Sequence, residues 1–231
     1  MRIDILKLLE GAKRAAGTAV IIDVFRAGSF ACYALAAGAE RIVPVADLET
    51  AYALKRDHPD WLLAGERGCI KPEGFDLGNS PFEAAKAALS GKTVVHATTA
   101  GTRGLTAAIK AGADEVLTCA FVNMAATAAY LAAKSPGTIT VVAMGTAGEM
   151  PAPEDDLCAM YLKNELEEVP NVFAAIVKHL RQSQSAEIFF GETALVPEED
   201  FELCLSLDAF DFVLRAAPGP DGLLALRRAD S

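Results

Sequence analysis

Three arginines stand beside carboxylates or hydroxyls in the stretches Asp23-Val-Phe-Arg26, Glu66-Arg67 and Thr98-Thr-Ala-Gly-Thr-Arg103. Guanidinium forks bind the oxygens of phosphate, sulfonate or carboxylate in pairs, so arginines converging from three loops would suit an oxyanion. Carboxylates beside them would suit a hard cation, because magnesium takes one or two protein carboxylates and fills its shell with water and substrate oxygens. Asp23 with one or two of Glu154, Asp155 and Asp156 would be sufficient. The combination reads as metal-assisted chemistry on a phosphate.

Each of these residues also has an ordinary reading. Asp23 could cap the helix after it, Arg26 and Arg103 could pair with surface acids, and Glu66 could bridge Arg67. Acids in a first helical turn complement the helix dipole. The run Pro197-Glu-Glu-Asp200 has the same pattern as Pro153-Glu-Asp-Asp156 without a glycine-rich strand end before it, and is read as structural. His96 lies in a strand and is expected to face the core, and no histidine cluster supports a metal triad.

The elements that would position these loops show a recurring order. The segment from Thr18 aligns without a gap on the segment from Lys92 at a constant shift of 74 residues, so that units of about 18–54 and 92–128 share a pattern of strand, polar loop, helix, Ala-Gly-Ala turn and strand. Buried apolar strands alternating with helices indicate an α/β fold, a three-layer α/β/α sandwich around a mixed, mostly parallel sheet. A further strand is expected at Thr138–Met144 and a long helix from Pro153 to about Glu168. Two strand-like runs around Pro218-Gly-Pro-Asp-Gly222 predict a C-terminal hairpin at a sheet edge, where it would make a homodimer feasible. Within the long charged loop, Ser80-Pro-Phe-Glu83 has the form of a capping box. In such sheets, ligands bind beyond the C-terminal ends of the strands, where helix N-termini present free N–H groups.

Composition excludes several partners. A chain of 231 residues, 52% hydrophobic and 23% charged, can bury one sizeable core, and a single domain over 1–231 is expected. The net charge of −10 repels nucleic acid and anionic membrane surfaces. No run of about eighteen apolar residues is present, and charges at Arg2, Asp4, Lys7 and Glu10 break the N-terminal segment, so a cytoplasmic protein is expected. The five cysteines are scattered and include no C-x-x-C pair, which argues against a disulfide framework or a zinc site. No P-loop or G-x-G-x-x-G stretch occurs.

The runs IIDVFRAGSF, GERGCIKPEGFDLGNSP, TTAGTRGL, EDDLCAMYL and CLSLDAFDFVLRA, in this order, resemble the 2-phosphosulfolactate phosphatase family, whose founding activity lies in coenzyme M biosynthesis. The resemblance implies a magnesium-dependent phosphatase that acts on a small anionic phosphate ester of a 2-hydroxy carboxylic acid, 2-phosphosulfolactate or a close analogue. By motif position it carries over Asp23, Arg26, Glu66 and Arg67, together with Asn79, Thr99, Gly101, Thr102 and Arg103 for substrate, while Asp23, Asp155 and Asp156 are the expected magnesium ligands. Gly28, Cys69 and Ala100 depart from the family's usual threonine, glycine and asparagine. Two rivals remain at this stage: a non-catalytic anion-binding module, and a thiol enzyme using Cys69, which lies between Arg67 and Lys71.

Overall fold

The structure, a computed structural model, describes residues 1–192 and 194–229. It starts with β1 (Arg2–Lys7) and a short helix α1 (Leu8–Ala12), then β2 (Thr18–Ile22), α2 (Ala27–Ala36), β3 (Arg41–Val45) and α3 (Leu48–Asp57). The charged loop lies between β4 (Leu62–Gly65) and β5 (Leu77–Gly78) and runs into α4 (Pro81–Lys86). Next come β6 (Thr93–Ala97), α5 (Gly101–Lys110), β7 (Glu115–Cys119) and α6 (Met124–Lys134). β8 (Thr138–Ala143), α7 (Pro153–Leu166), α8 (Phe173–Arg181), α9 (Glu199–Cys204), β9 (Leu214–Pro218) and β10 (Leu224–Arg228) complete the chain.

The strands form one ten-stranded sheet in the order β1-β8-β2-β7-β9-β10-β3-β6-β4-β5. Strands β1, β8, β2 and β7 are parallel to one another, as are β3, β6, β4 and β5, and the antiparallel pair β9–β10 joins the two blocks. The sheet is therefore mixed and mostly parallel, as its runs of Val and Ile imply: β2, β3 and β6 are buried along their whole length, which requires cover on both faces. The chain crosses from the first block to the second through α2 and returns through α5. The hairpin is thus central rather than at an edge, which corrects the expectation and removes the reason for dimerising through it. Its turn residues are local signals, whereas Val116–Thr118 and Ile42, which pair with it on either side, lie far away in sequence.

Helix boundaries follow local chemistry. Asp47 caps α3 by accepting from Thr50 N at 2.7 Å. Ser80 caps α4 by accepting from Glu83 N at 3.2 Å, as expected, but Glu83 reaches past the cap to accept from Gly78 N at 2.8 Å. The side chain thereby ties the end of the charged loop to the helix, and the capping box is only half formed. Among the described residues, no helix is long and apolar enough to cross a membrane.

Candidate active site

The loops after β2, β4, β6 and β8 enclose a cavity of about 260 Å3. Asp23 enters it from the end of β2, Glu66 from β4, Thr99 and Ala100 from β6, and Glu154 and Asp155 from the first turn of α7. The strand ends that carry them belong to both blocks of the sheet: Gly101, after β6, donates its N–H to Asp23 Oδ2 at 2.9 Å.

Asp23 is buried, and its two oxygens each accept one backbone N–H, from Ala27 at 3.2 Å and from Gly101 at 2.9 Å. It therefore caps two helices at once, α2 and α5. Two glycines make the close approach possible: a Cβ at Gly28 would stand 2.8 Å from the Asp23 carbonyl oxygen, and one at Gly101 would stand 2.9 Å from Oδ2. Gly28 is consequently a packing feature under Asp23. Gly101 spends its N–H on the carboxylate, so that group does not serve a phosphate. Burial pushes the Asp23 pKa up to about 6, and the Glu66 charge adds to this against the pull of the two N–H groups and Arg26.

The acidic trio divides. Asp155 turns inward, accepting from Val24 N at 2.7 Å and Gly145 N at 2.8 Å, and so stitches the ends of β2 and β8 together. Glu154 also faces the cavity, with Oε2 accepting from Ser185 Oγ at 2.7 Å. Burial raises the proton affinity of both, and the charge of Asp23 raises it further. Asp156 points away and pairs with Lys7 at 2.6 Å, which corrects its expected place among the metal ligands and gives the inward position to Glu154. Successive helical residues lie about 100° apart, so three neighbouring acids cannot all face one cavity.

Glu66 is oriented by Cys69 N at 2.9 Å and Thr99 Oγ1 at 3.3 Å. Arg67 turns from the cavity and donates to the carbonyls of Glu66 at 2.6 Å and Ala46 at 2.7 Å, bracing the charged loop. Arg103 donates to Ala147 O at 3.2 Å and does not line the cavity. Thr102 lies behind it, with its hydroxyl 3.0 Å from that of Thr98. Of the expected arginines, Arg26 alone reaches the cavity. Cys69 lines it too, but burial raises its thiol pKa, with Arg26 pulling the other way, so the thiol is the favoured form.

Two residues outside the expected set complete the site. Asp200, read as structural, is fully buried, pairs with Arg26 Nη1 at 2.9 Å, and accepts from Ser80 Oγ at 2.8 Å and Phe82 N at 2.9 Å. It fixes the guanidinium and the start of α4 together. His96 is buried as expected, yet its Nε2 lies 3.0 Å from Oδ1 of the cavity residue Asn79. Burial, and then the charge of Arg26, hold its pKa down at about 3, so the ring is neutral.

Among the described residues, four carboxylates thus face one cavity with a single arginine, which is itself paired to a fifth. Positive charge added there would favour the entry of an anion. Among the described residues, no three histidine, cysteine or acidic side chains gather into an enclosing metal cluster. What the residues offer a hard cation is two carboxylates, Asp23 and Asp155, each oxygen of which accepts one N–H and keeps a lone pair, with Glu154 beside them; water and substrate oxygens would have to supply the rest of its shell.

The profile of a family described as 2-phosphosulpholactate phosphatase matches residues 3–218. A protein of Caldicellulosiruptor saccharolyticus named probable 2-phosphosulfolactate phosphatase is 42% identical over 67% of this chain and 65% of its own. Proteins with the same name from Thermotoga petrophila, 36% identical over 85% of this chain and 87% of theirs, and from Clostridium perfringens, 32% identical over 95% of each, are similar over more of their length.

Proposed function

The chain belongs to the 2-phosphosulpholactate phosphatase family, and from that premise we propose that it is a magnesium-dependent phosphatase of 2-hydroxy carboxylic acid phosphates, releasing phosphate and sulfolactate from 2-phosphosulfolactate or an analogue. The supporting observation is the cavity itself, where Asp23, Glu66, Glu154 and Asp155 surround space reached by the one guanidinium of Arg26. A substrate bearing phosphate, carboxylate and sulfonate needs more positive charge than Arg26 supplies.

Asp23 and Asp155 would hold magnesium, which when bound would neutralise phosphoryl oxygens and offset the charge that develops on them. Arg26, held in place by Asp200, binds an oxyanion of the substrate with its remaining N–H groups. Hydrolysis places water oxygen on phosphorus and breaks the bond to the ester oxygen, which must gain a proton. Glu154 can supply it, because burial favours its protonated form and its Oε1 accepts no hydrogen bond from the described residues. Glu66, oriented by Cys69 N and Thr99, faces the same space and can take the proton from water.

Protons and metal compete for the same carboxylates. With the Asp23 pKa at about 6 and that of Asp155 also raised by burial, apparent magnesium affinity should fall as the pH drops, by at least about tenfold per pH unit below 6. Calorimetric titrations at pH 5, 6 and 7.5 read this directly. An affinity independent of pH across that range would remove Asp23 from the metal site.

Cys69 and Ala100 both line the cavity, so two of the three departures from the family pattern bear on substrate choice. Cys69 also has φ 66°, a left-handed backbone that glycine adopts without strain. Cys69→Ser and Cys69→Gly should keep most of the activity, and the glycine variant should lose no thermal stability. A thousandfold loss in both folded variants would favour the thiol reading. The function itself is tested by a phosphate-release screen with and without magnesium, comparing 2-phosphosulfolactate and 2-phospholactate with esters lacking a carboxylate. Equal turnover of all esters, or full activity in excess EDTA, would contradict the proposal.

A further inference from the structure

The geometry points to His96 as a positioning residue that turns the amide N–H groups of Asn79 toward the cavity, where they donate to an oxyanion of the substrate. Asn79 is 6% exposed, its Oδ1 faces His96 Nε2 at 3.0 Å, and its Nδ2 donates to no described residue although Asn79 lines the cavity. Nδ2 is also not sealed away from solvent-sized space, unlike the unpartnered amide of Asn123.

A neutral imidazole carries one N–H, so only two arrangements are possible at that contact. Either Nε2–H donates to Oδ1 and leaves two amide donors for the cavity, or the amide donates to a bare Nε2 and leaves a carbonyl oxygen there. The structure sets Oδ1, not Nδ2, against Nε2, the placement that goes with the first. It is also the one the surroundings favour, because the cavity already holds four carboxylates and Arg26 is its sole cationic side chain among the described residues. Another acceptor would repel the incoming anion, whereas two fixed donors add to the work of Arg26.

The ring is held in place by its surroundings. His96 stacks on Phe30 at 4.3 Å between ring centroids and 27° between planes, and it is 3% exposed on the interior strand β6. Its low proton affinity keeps it from becoming a cation beside Arg26, so the single N–H stays available across ordinary pH. This residue was expected to be part of the core, and it is, but its polar edge is committed to a site residue.

The inference rests on the phosphatase reading only for the identity of the oxyanion. Histidine 15N NMR of the unmodified protein tests the geometry without any turnover, and should show His96 as the neutral tautomer protonated at Nε2. A proton on Nδ1 would overturn the inference. Asn79→Asp then separates donor from metal ligand: kcat/KM should fall by about 10²–10³ with magnesium binding no tighter, whereas retained activity with tighter magnesium would mean that Oδ1 faces the cavity. His96→Leu should lose activity, His96→Gln should recover most of it, and His96→Leu should add nothing in an Asn79→Ala background. Additive losses would assign His96 to packing alone. If no ester is hydrolysed at all, inorganic phosphate titrated in the presence of magnesium provides the same comparison, with weaker binding expected in Asn79→Asp and His96→Leu. In that case the tautomer result still stands or falls by itself.

Discussion

Asp23→Asn should weaken magnesium binding by more than about tenfold and lower kcat by about 10³ even at saturating ester. The substitution nearly preserves shape but removes a full negative charge from a residue that reaches the cavity while capping both α2 and α5. Its structural effects oppose one another. An asparagine can accept only through its single oxygen, so one of the Ala27 and Gly101 N–H groups loses its partner, at about 1–3 kcal/mol. Against that, the variant no longer holds an ionised group where burial disfavours one. Thermal stability should therefore change little while activity collapses. Wild-type magnesium affinity and turnover in Asp23→Asn would show that Asp23 only caps helices.

The second large effect is expected at the buried pair of Arg26 and Asp200. Arg26→Lys keeps the charge but loses the planar fork that can hold Asp200 and an oxyanion at once. A drop in kcat/KM of about 10²–10³ is expected, with magnesium affinity close to wild type. Asp200→Ala should be worse for stability, by about 3–5 kcal/mol, because it leaves a buried guanidinium unpaired and releases Ser80 and the Phe82 N–H as well. Asp200→Asn keeps an acceptor for those groups and so tests positioning apart from folding. It should lower kcat/KM in a folded protein without changing magnesium affinity. Steady-state kinetics beside thermal melts distinguish these outcomes, and normal kcat/KM in both Arg26→Lys and Asp200→Asn would remove the pair from the site.

The sheet was legible because its evidence is local. The largely apolar runs at β2, β6 and β8 are long enough to be strands and are flanked by glycine and polar loops, and apart from Thr138 they are buried throughout. Convergence of the strand-end loops was legible for the same reason, and it brings Asp23, Glu66, Asn79 and Thr99 to one cavity. What the sequence could not reveal depends on distant partners. Asp200 sits in an ordinary acidic helix opening, and its importance comes from Arg26, 174 positions away. Arg67 and Arg103 carry the same side chain as Arg26 in similar loops, but carbonyls of Ala46 and Ala147 claim them first. The central place of the C-terminal hairpin is likewise set by β3 and β7. The choice of Glu154 over Asp156 was the exception, since helical phase at the start of α7 could have shown that both cannot face the same way.

The central claim is that this cavity hydrolyses an anionic phosphate ester and does not merely hold one. Purified protein incubated with magnesium and 2-phosphosulfolactate, followed for released phosphate and for thermal shift in the same samples, tests it directly. Many phosphates released per protein molecule, abolished in Asp23→Asn, is the predicted result. A clear thermal shift with no phosphate released would contradict it and identify a binding module.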